Sequence, residues 1–152
     1  MIRTEKRLRL CTALLVLNLA LIWGNSLLPG EISGQISRGL GAILEKLFDL
    51  PVGGDGTGHG LLRKLGHFSE FACLGMLFCW RAGMAGETGR HLWMVPLLGC
   101  MMAACADETI QVFVPDRGPS VIDVWIDTCG AAAGMGLLRT GHHFIRKKKQ
   151  NN

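Results

Sequence analysis

Residues 8–28, LRLCTALLVLNLALIWGNSLL, carry no charge beyond Arg9 and hold eleven Leu, Ile or Val side chains. As a helix this stretch reaches across a hydrocarbon core of about 30 Å, which takes about 20 residues. A chain with such a segment folds with lipid as part of its solvent, and in lipid the backbone must satisfy its own hydrogen bonds, which favours helices. The basic start RTEKRLRL also suits a cleaved leader. The apolar run is long for one, however, and no small-x-small site follows Trp23, so the segment reads as a retained span.

Three more apolar runs follow, at residues 64–80, 92–114 and 120–138. Each contains ionisable groups: His67 and Glu70, then Asp107 and Glu108 beside Gln111, then Asp123 and Asp127. The charged fraction of the chain is 18% and its mean hydropathy +0.29, against about 25% charged residues in soluble domains. Disorder is excluded, because disordered chains are polar and highly charged. A net charge of +4 over 152 residues makes no basic face, so no nucleic-acid partner is expected. The reading is an all-α, four-helix transmembrane bundle at residues 8–138. A basic N-terminus, 1–7, precedes it and a basic tail, 139–152, follows.

Four spans divide the 16 basic residues unevenly. Arg3, Lys6, Arg7, Arg9, Arg81, Arg90, Arg139, Arg146 and residues 147–149 fall on one side; Arg38, Lys46, Arg63, Lys64 and Arg117 fall on the other. By the positive-inside rule the first side, with both termini, is cytoplasmic. This predicts a multi-pass protein of the bacterial cytoplasmic (inner) membrane. Trp23, Trp80, Trp93 and Trp125 fall near the span ends, where amphipathic rings favour the interface. The six cysteines lie inside apolar runs without a CxxC pair, so they read as packing residues rather than a disulfide framework or zinc ribbon.

The long outer loop, 29–63, places Ile32, Ile36, Leu40, Ile43, Leu44 and Leu47 at helical spacing. That periodicity predicts an amphipathic helix, either on the membrane surface or packed as a lid on the bundle. PVGGDGTGHG (51–60) after it is a glycine-rich hinge and lacks the phosphate-loop pattern GxxxxGK[ST]; His59 within it reads as a solvated histidine. No cofactor is expected. In the fourth run Asp123, Asp127, Gly130 and Gly134 follow i, i+4, i+7, i+11. They therefore share one face, whose small residues permit close helix packing within the chain or in a homo-oligomer through residues 130–134.

Sorted by the same topology, charge is +9 on the inner side, zero in the outer loops and −5 within the spans. A charge at the bilayer centre costs about 2.5–3.5 kcal/mol, so Glu70, Asp107, Glu108, Asp123 and Asp127 must face the bundle interior. Chain direction brings Lys64, His67, Glu70, Asp107, Glu108, Gln111, Arg117, Ser120, Asp123 and Asp127 together near the outer leaflet. An ion-pair network that fixes helix registry is one reading of this set; a ligand site is the other.

KLGHFSEFACLG (64–75) and DETIQVFVPDRGPSVIDVWIDTCGAAAG (107–134) resemble the VanZ-like family of small bacterial integral membrane proteins. Lys64, His67, Asp107, Glu108, Gln111, Arg117, Ser120 and Asp123 follow its order of polar residues, and NSLLPGEISGQIS (25–37) resembles its Ser-rich stretch after the first span. Phe71 stands where an aromatic hydroxyl is common, and Asp127 where Asn is common. The family's namesake is associated with resistance to teicoplanin, a lipoglycopeptide that acts on the wall precursor outside the membrane. The resemblance thus implies a cell-envelope role, and membership by itself establishes no resistance.

Three functions compete. In the first, the site binds the head group of an anionic membrane lipid or lipid-linked wall precursor, with Lys64, Arg117 and His67 on phosphate. In the second, His67, Glu70, Asp107 and Asp123 hold a metal that activates water against a lipid phosphodiester; no established catalytic motif such as HExxH accompanies them. In the third, the carboxylates relay protons in a transporter, against which stand the small number of spans and the lack of an inverted repeat.

Overall fold

The computed structural model describes residues 2–48 and 58–150. Regular structure among them is helical: α1 (Ile2–Ser26), α2 (Gly30–Phe48), α3 (Gly58–Met84), α4 (His91–Val112) and α5 (Val121–Gln150). Residues 51–57 of the glycine-rich stretch and the His59 side chain lie outside the described residues.

Side-chain contacts fix the direction of each long helix. Arg81 Nε donates to Thr12 Oγ1 at 3.1 Å, so the start of α1 lies beside the end of α3. Trp23 Nε1 donates to the Ala103 carbonyl and Gln111 Nε2 to Ser26 Oγ, so α1 and α4 run side by side in the same sense. Lys64 pairs with Asp123 near the starts of α3 and α5. At the other end the Arg139 guanidinium lies 5.2 Å from the ring centre of Trp93, near the start of α4. The bundle therefore alternates in direction through α1, α3, α4 and α5, and the ends of α1 and α4 meet the starts of α3 and α5.

α3 is the central helix and touches each of the other four, α5 most extensively. The α3–α5 contact is backbone against backbone. A side chain at Gly130 would strike the Phe68 carbonyl, one at Gly134 the Ala72 carbonyl, and one at Gly75 the Ala131 carbonyl. Small residues at four-residue spacing let two helices approach this closely. The Gly130 and Gly134 face of α5 is thus occupied by α3 within the chain.

The bundle is apolar outside and polar within. Leu17, Leu21, Val95, Met102, Ile122 and Trp125 are exposed, while His67, Asp107, Glu108, Gln111, Arg117 and Asp127 are buried. Its apolar core is small: Leu15, Ile22, Phe71, Leu74, Cys100, Ala103, Ala104 and Ala131. Three helical segments are long and apolar enough to cross a membrane, Thr4–Ser26, His91–Val112 and Val121–Gly141. α3 is long enough, at 27 residues, but carries Arg63, Lys64, His67, Glu70 and Arg81. As the central element it turns polar groups toward neighbouring helices, so its composition differs from that of its partners.

α2 forms where the apolar periodicity predicts a helix. Ile32, Ile36 and Ile43 are exposed, whereas Ser33 is buried, so the described part of the apolar stripe faces away from the bundle. The side chains of Leu40, Leu44 and Leu47 lie outside the described residues. The tryptophans divide: Trp80 and Trp125 are exposed, while Trp23 packs on the core and donates to the Ala103 carbonyl. All six cysteines are free; Cys11, Cys79 and Cys100 are buried, while Cys73, Cys105 and Cys129 are exposed instead of packed inside. The basic segments at both ends are continuous with helices, since α1 begins at Ile2 and α5 runs to Gln150.

Candidate functional site

The helix directions bring four chain segments to one end of the bundle: the end of α1, the first half of α3, the end of α4 and the start of α5. On α3, Arg63, His67 and Glu70 lie at i, i+4 and i+7, one face of the helix. Asp107, Glu108 and Gln111 on α4 and Asp123 and Asp127 on α5 face them. A cavity of about 10 Å³ lies between, lined by Arg63, Lys64, His67, Glu108, Gln111, Asp123, Ile126 and Asp127. That is room for about one water molecule or one small ion.

The ten residues singled out from the sequence fall into three groups. Glu108, Ser120 and Arg117 fasten helix ends. Glu108 Oε2 accepts from the Ser120 backbone N–H at 2.7 Å, and Ser120 Oγ accepts from the Ile122 N–H at 3.1 Å. Ser120 is thus the N-cap of α5, with a carboxylate at the positive end of the helix dipole. Arg117 does the converse at the end of α1, donating from Nη2 to the Asn25 carbonyl at 2.7 Å and from Nε to the Leu28 carbonyl at 3.0 Å. Both carbonyls lie at or beyond the end of α1, where i→i−4 partners run out, and Asn25 also accepts from the Leu28 N–H at 3.2 Å. Burial, together with the nearby Arg63 charge, draws the Arg117 pKa down, and Asp107 and Glu108 oppose this; arginine nonetheless keeps its charge. The turn carrying Arg117 docks on α2 as well, with the Gly30 N–H donating to the Pro115 carbonyl at 3.1 Å. A side chain at Gly30 would strike the Asp116 backbone.

The second group is the rim. Lys64 Nζ lies 2.8 Å from Asp123 Oδ1, with the lysine side chain 41% exposed. Arg63, absent from the ten, lines the same cavity; its i, i+4 spacing to His67 is the signal for it in the sequence.

The third group is buried, and polar atoms in it lack hydrogen-bond partners among the described residues. Both carboxylate oxygens of Asp127, Asp107 Oδ1, Glu70 Oε2 and His67 Nδ1 are in this state. Asp107 Oδ2 accepts from Gln111 Nε2 at 3.0 Å and lies 3.8 Å from His67 Nδ1. Gln111 Nε2 is also 3.3 Å from Ser26 Oγ and 3.3 Å from Glu108 Oε1. Ser26 and Asn25 at the end of α1 belong to the site as well. The sequence reading noted them only as part of the Ser-rich stretch.

Of the ten, Lys64, His67, Glu108, Gln111, Asp123 and Asp127 line the cavity, Asp107 and Glu70 lie behind them, and Arg117 and Ser120 act on helix ends. Among the described residues, one His/Asp/Glu/Cys cluster has ligand atoms mutually within 4.8 Å: His67, Asp107 and Asp127. The set read from sequence spacing was His67, Glu70, Asp107 and Asp123. Asp123 instead turns to Lys64 at the rim, and Asp127, one turn further along α5, takes the inner place. A second cavity, about 940 Å³, lies at the opposite end beside Trp80, Arg90 and Arg139.

Neither the curated proteins nor the solved structures contain a match to the chain. The VanZ/LLP1 family model matches residues 10–144, which takes in most of α1, the core of the bundle and every residue of the site, and the chain belongs to that family.

Proposed function

We propose that the chain is a four-span protein of the bacterial cytoplasmic membrane that binds the head group of an anionic lipid or lipid-linked wall precursor at its outer-leaflet end. One observation carries this reading: the buried polar residues gather at a single end of a bundle whose outer surface is apolar. A lipid head group is the ligand that a site at this depth meets. Both ends of the chain share the opposite side of the bundle with Arg81, Arg90 and Arg139, and the positive-inside rule makes that side cytoplasmic. α3 crosses as the fourth span, its polar groups shielded by α1, α4 and α5. The outward Ile32, Ile36 and Ile43 of α2 favour a helix lying in the outer interface beside the site.

The cavity is too small for a phosphate, so the head group is received at the mouth by Arg63 and Lys64, and Arg117 stays on α1. On this reading the association of the family's namesake with teicoplanin has a physical basis, because a protein holding the precursor's head group alters what the antibiotic reaches. Whether this member confers resistance is measured by expressing it in a glycopeptide-sensitive host.

The test uses full-length protein in nanodiscs of zwitterionic lipid, titrated with an anionic phospholipid. Preferential binding, reduced at least tenfold in the Arg63→Ala/Lys64→Ala double variant, is the expected result. Equal binding of anionic and zwitterionic lipid, or an unchanged double variant, overturns the proposal. A cytoplasm-dependent reporter fused to each terminus tests the topology; activity at only one end contradicts four spans.

A further inference from the structure

Below the rim, the structure assigns a binding site for one divalent transition-metal cation, of zinc or manganese type, to His67, Asp107 and Asp127. This goes beyond head-group binding and stands without it, because the metal is held by residues that the phosphate does not reach.

The Asp127 carboxylate is the starting observation. Asp127 is 1% exposed, it lines the cavity, and neither of its oxygens has a hydrogen-bond partner among the described residues. Burying a carboxylate without a partner is costly, and buried charges are paired or coordinate metals. No ion pair to Asp127 forms among the described residues: Lys64 is taken by Asp123, Arg117 donates from Nε and Nη2 to the α1 carbonyls, and Arg63 lines the cavity without pairing to it.

Two independent groups point to the same place. Asp107 is fully buried, and its Oδ1 has no partner while Oδ2 is held by Gln111. An outer hydrogen bond that fixes one carboxylate oxygen and leaves the other free is how a ligand is oriented toward a metal. His67 Nδ1 is likewise buried without a partner. With ligand bonds of about 2.1 Å, tetrahedral ligand atoms lie about 3.4 Å apart. The three side chains, now within 4.8 Å of one another, reach that spacing by small side-chain rotations. His67 and Asp127 line the cavity of about 10 Å³, which has room for one ion, and Asp107 lies behind them.

Charge and ligand chemistry set the class of ion. Five carboxylates (Glu70, Asp107, Glu108, Asp123, Asp127) face three fixed cations (Arg63, Lys64, Arg117), a formal excess of two negative charges that one divalent ion neutralises. An imidazole nitrogen favours zinc over magnesium or calcium, which prefer all-oxygen sites, and the two carboxylates also suit manganese.

The experiment uses full-length protein in detergent, stripped with chelator, desalted and titrated with Zn²⁺, Mn²⁺, Mg²⁺ or Co²⁺ alone. Metal content is read by elemental analysis, and the Co²⁺ form by its visible absorption. One Zn²⁺ or Mn²⁺ per chain is expected, with affinity at least tenfold above that for Mg²⁺. Asp127→Asn and His67→Ala each lose the ion, and with it the visible absorption of the Co²⁺ form. Asp123→Asn retains the ion, because Asp123 belongs to the rim. Size-exclusion profiles check that each variant is folded, and the Co²⁺ spectrum of wild-type protein decides the matter if one variant is not. Substoichiometric metal in monodisperse wild-type protein, a preference for Mg²⁺, or undiminished metal in folded Asp127→Asn overturns the assignment.

Discussion

Gln111 Nε2 lies 3.0 Å from Asp107 Oδ2, one turn back on α4, and 3.3 Å from Ser26 Oγ on α1. One amide thus orients a buried carboxylate and ties two helices together. Gln111→Ala is expected to destabilise the protein by about 1–3 kcal/mol, the cost of leaving buried acceptors unmet. Thermal unfolding in detergent reads the loss. If the metal site is present, the same change weakens Zn²⁺ binding by about tenfold, as outer-shell changes do.

Gly134 and Gly136 are two residues apart on α5 but differ in surroundings. A side chain at Gly134 meets the Ala72 backbone, whereas at Gly136 nothing lies within 4 Å. Gly134→Ala is expected to cost about 1–3 kcal/mol through overpacking, and Gly136→Ala to gain up to about 1 kcal/mol through helix propensity. Comparing the two melting temperatures gives the sign of each; similar effects would contradict the close α3–α5 contact.

Lys64 and Arg117 are both basic residues of the site, and they should separate when stability and binding are measured together. The Lys64–Asp123 pair is partly exposed, so Lys64→Ala alters stability by less than about 1 kcal/mol while weakening anionic-lipid binding. Arg117→Ala removes two charged hydrogen bonds from the end of α1 and lowers stability by about 3 kcal/mol. Arg117→Lys recovers only part, because an ammonium cannot span both carbonyls as the planar guanidinium does. Chemical denaturation with parallel lipid titration distinguishes these outcomes.

Ser120→Ala removes the N-cap of α5 and is expected to cost about 1 kcal/mol. Lipid and metal binding should change little, since the hydroxyl faces the Ile122 N–H rather than the cavity. A large binding defect in a folded Ser120→Ala protein would show that Ser120 has a direct role.

Among the ten site residues, sequence reasoning was strongest where helical spacing decides the face. Asp127, Gly130 and Gly134 are buried together, as their i, i+3, i+7 register requires, and His67 shares a face with Glu70. It was weaker on pairing. Spacing puts Asp123 and Asp127 on the same side of α5, but which of them meets Lys64 depends on how far α5 is advanced along α3. That offset is set where Gly130 and Gly134 seat against Phe68 and Ala72. Arg117 shows the same limit: its charge suggests an anion, yet the two α1 carbonyls it meets come from a segment 89 and 92 residues away.

The sequence by itself determined an all-helical chain with long apolar helices, their order and the residues forced to face inward. These follow from local periodicity and from the cost of exposing charge to lipid. Only the tertiary structure decided which inward groups pair and which stand without partners, because helix offset and crossing distance arise from contacts between distant segments. Tertiary packing consigns Lys64, Asp123, Glu108 and Arg117 to rim and caps and leaves Asp127, Asp107 and His67 facing one another.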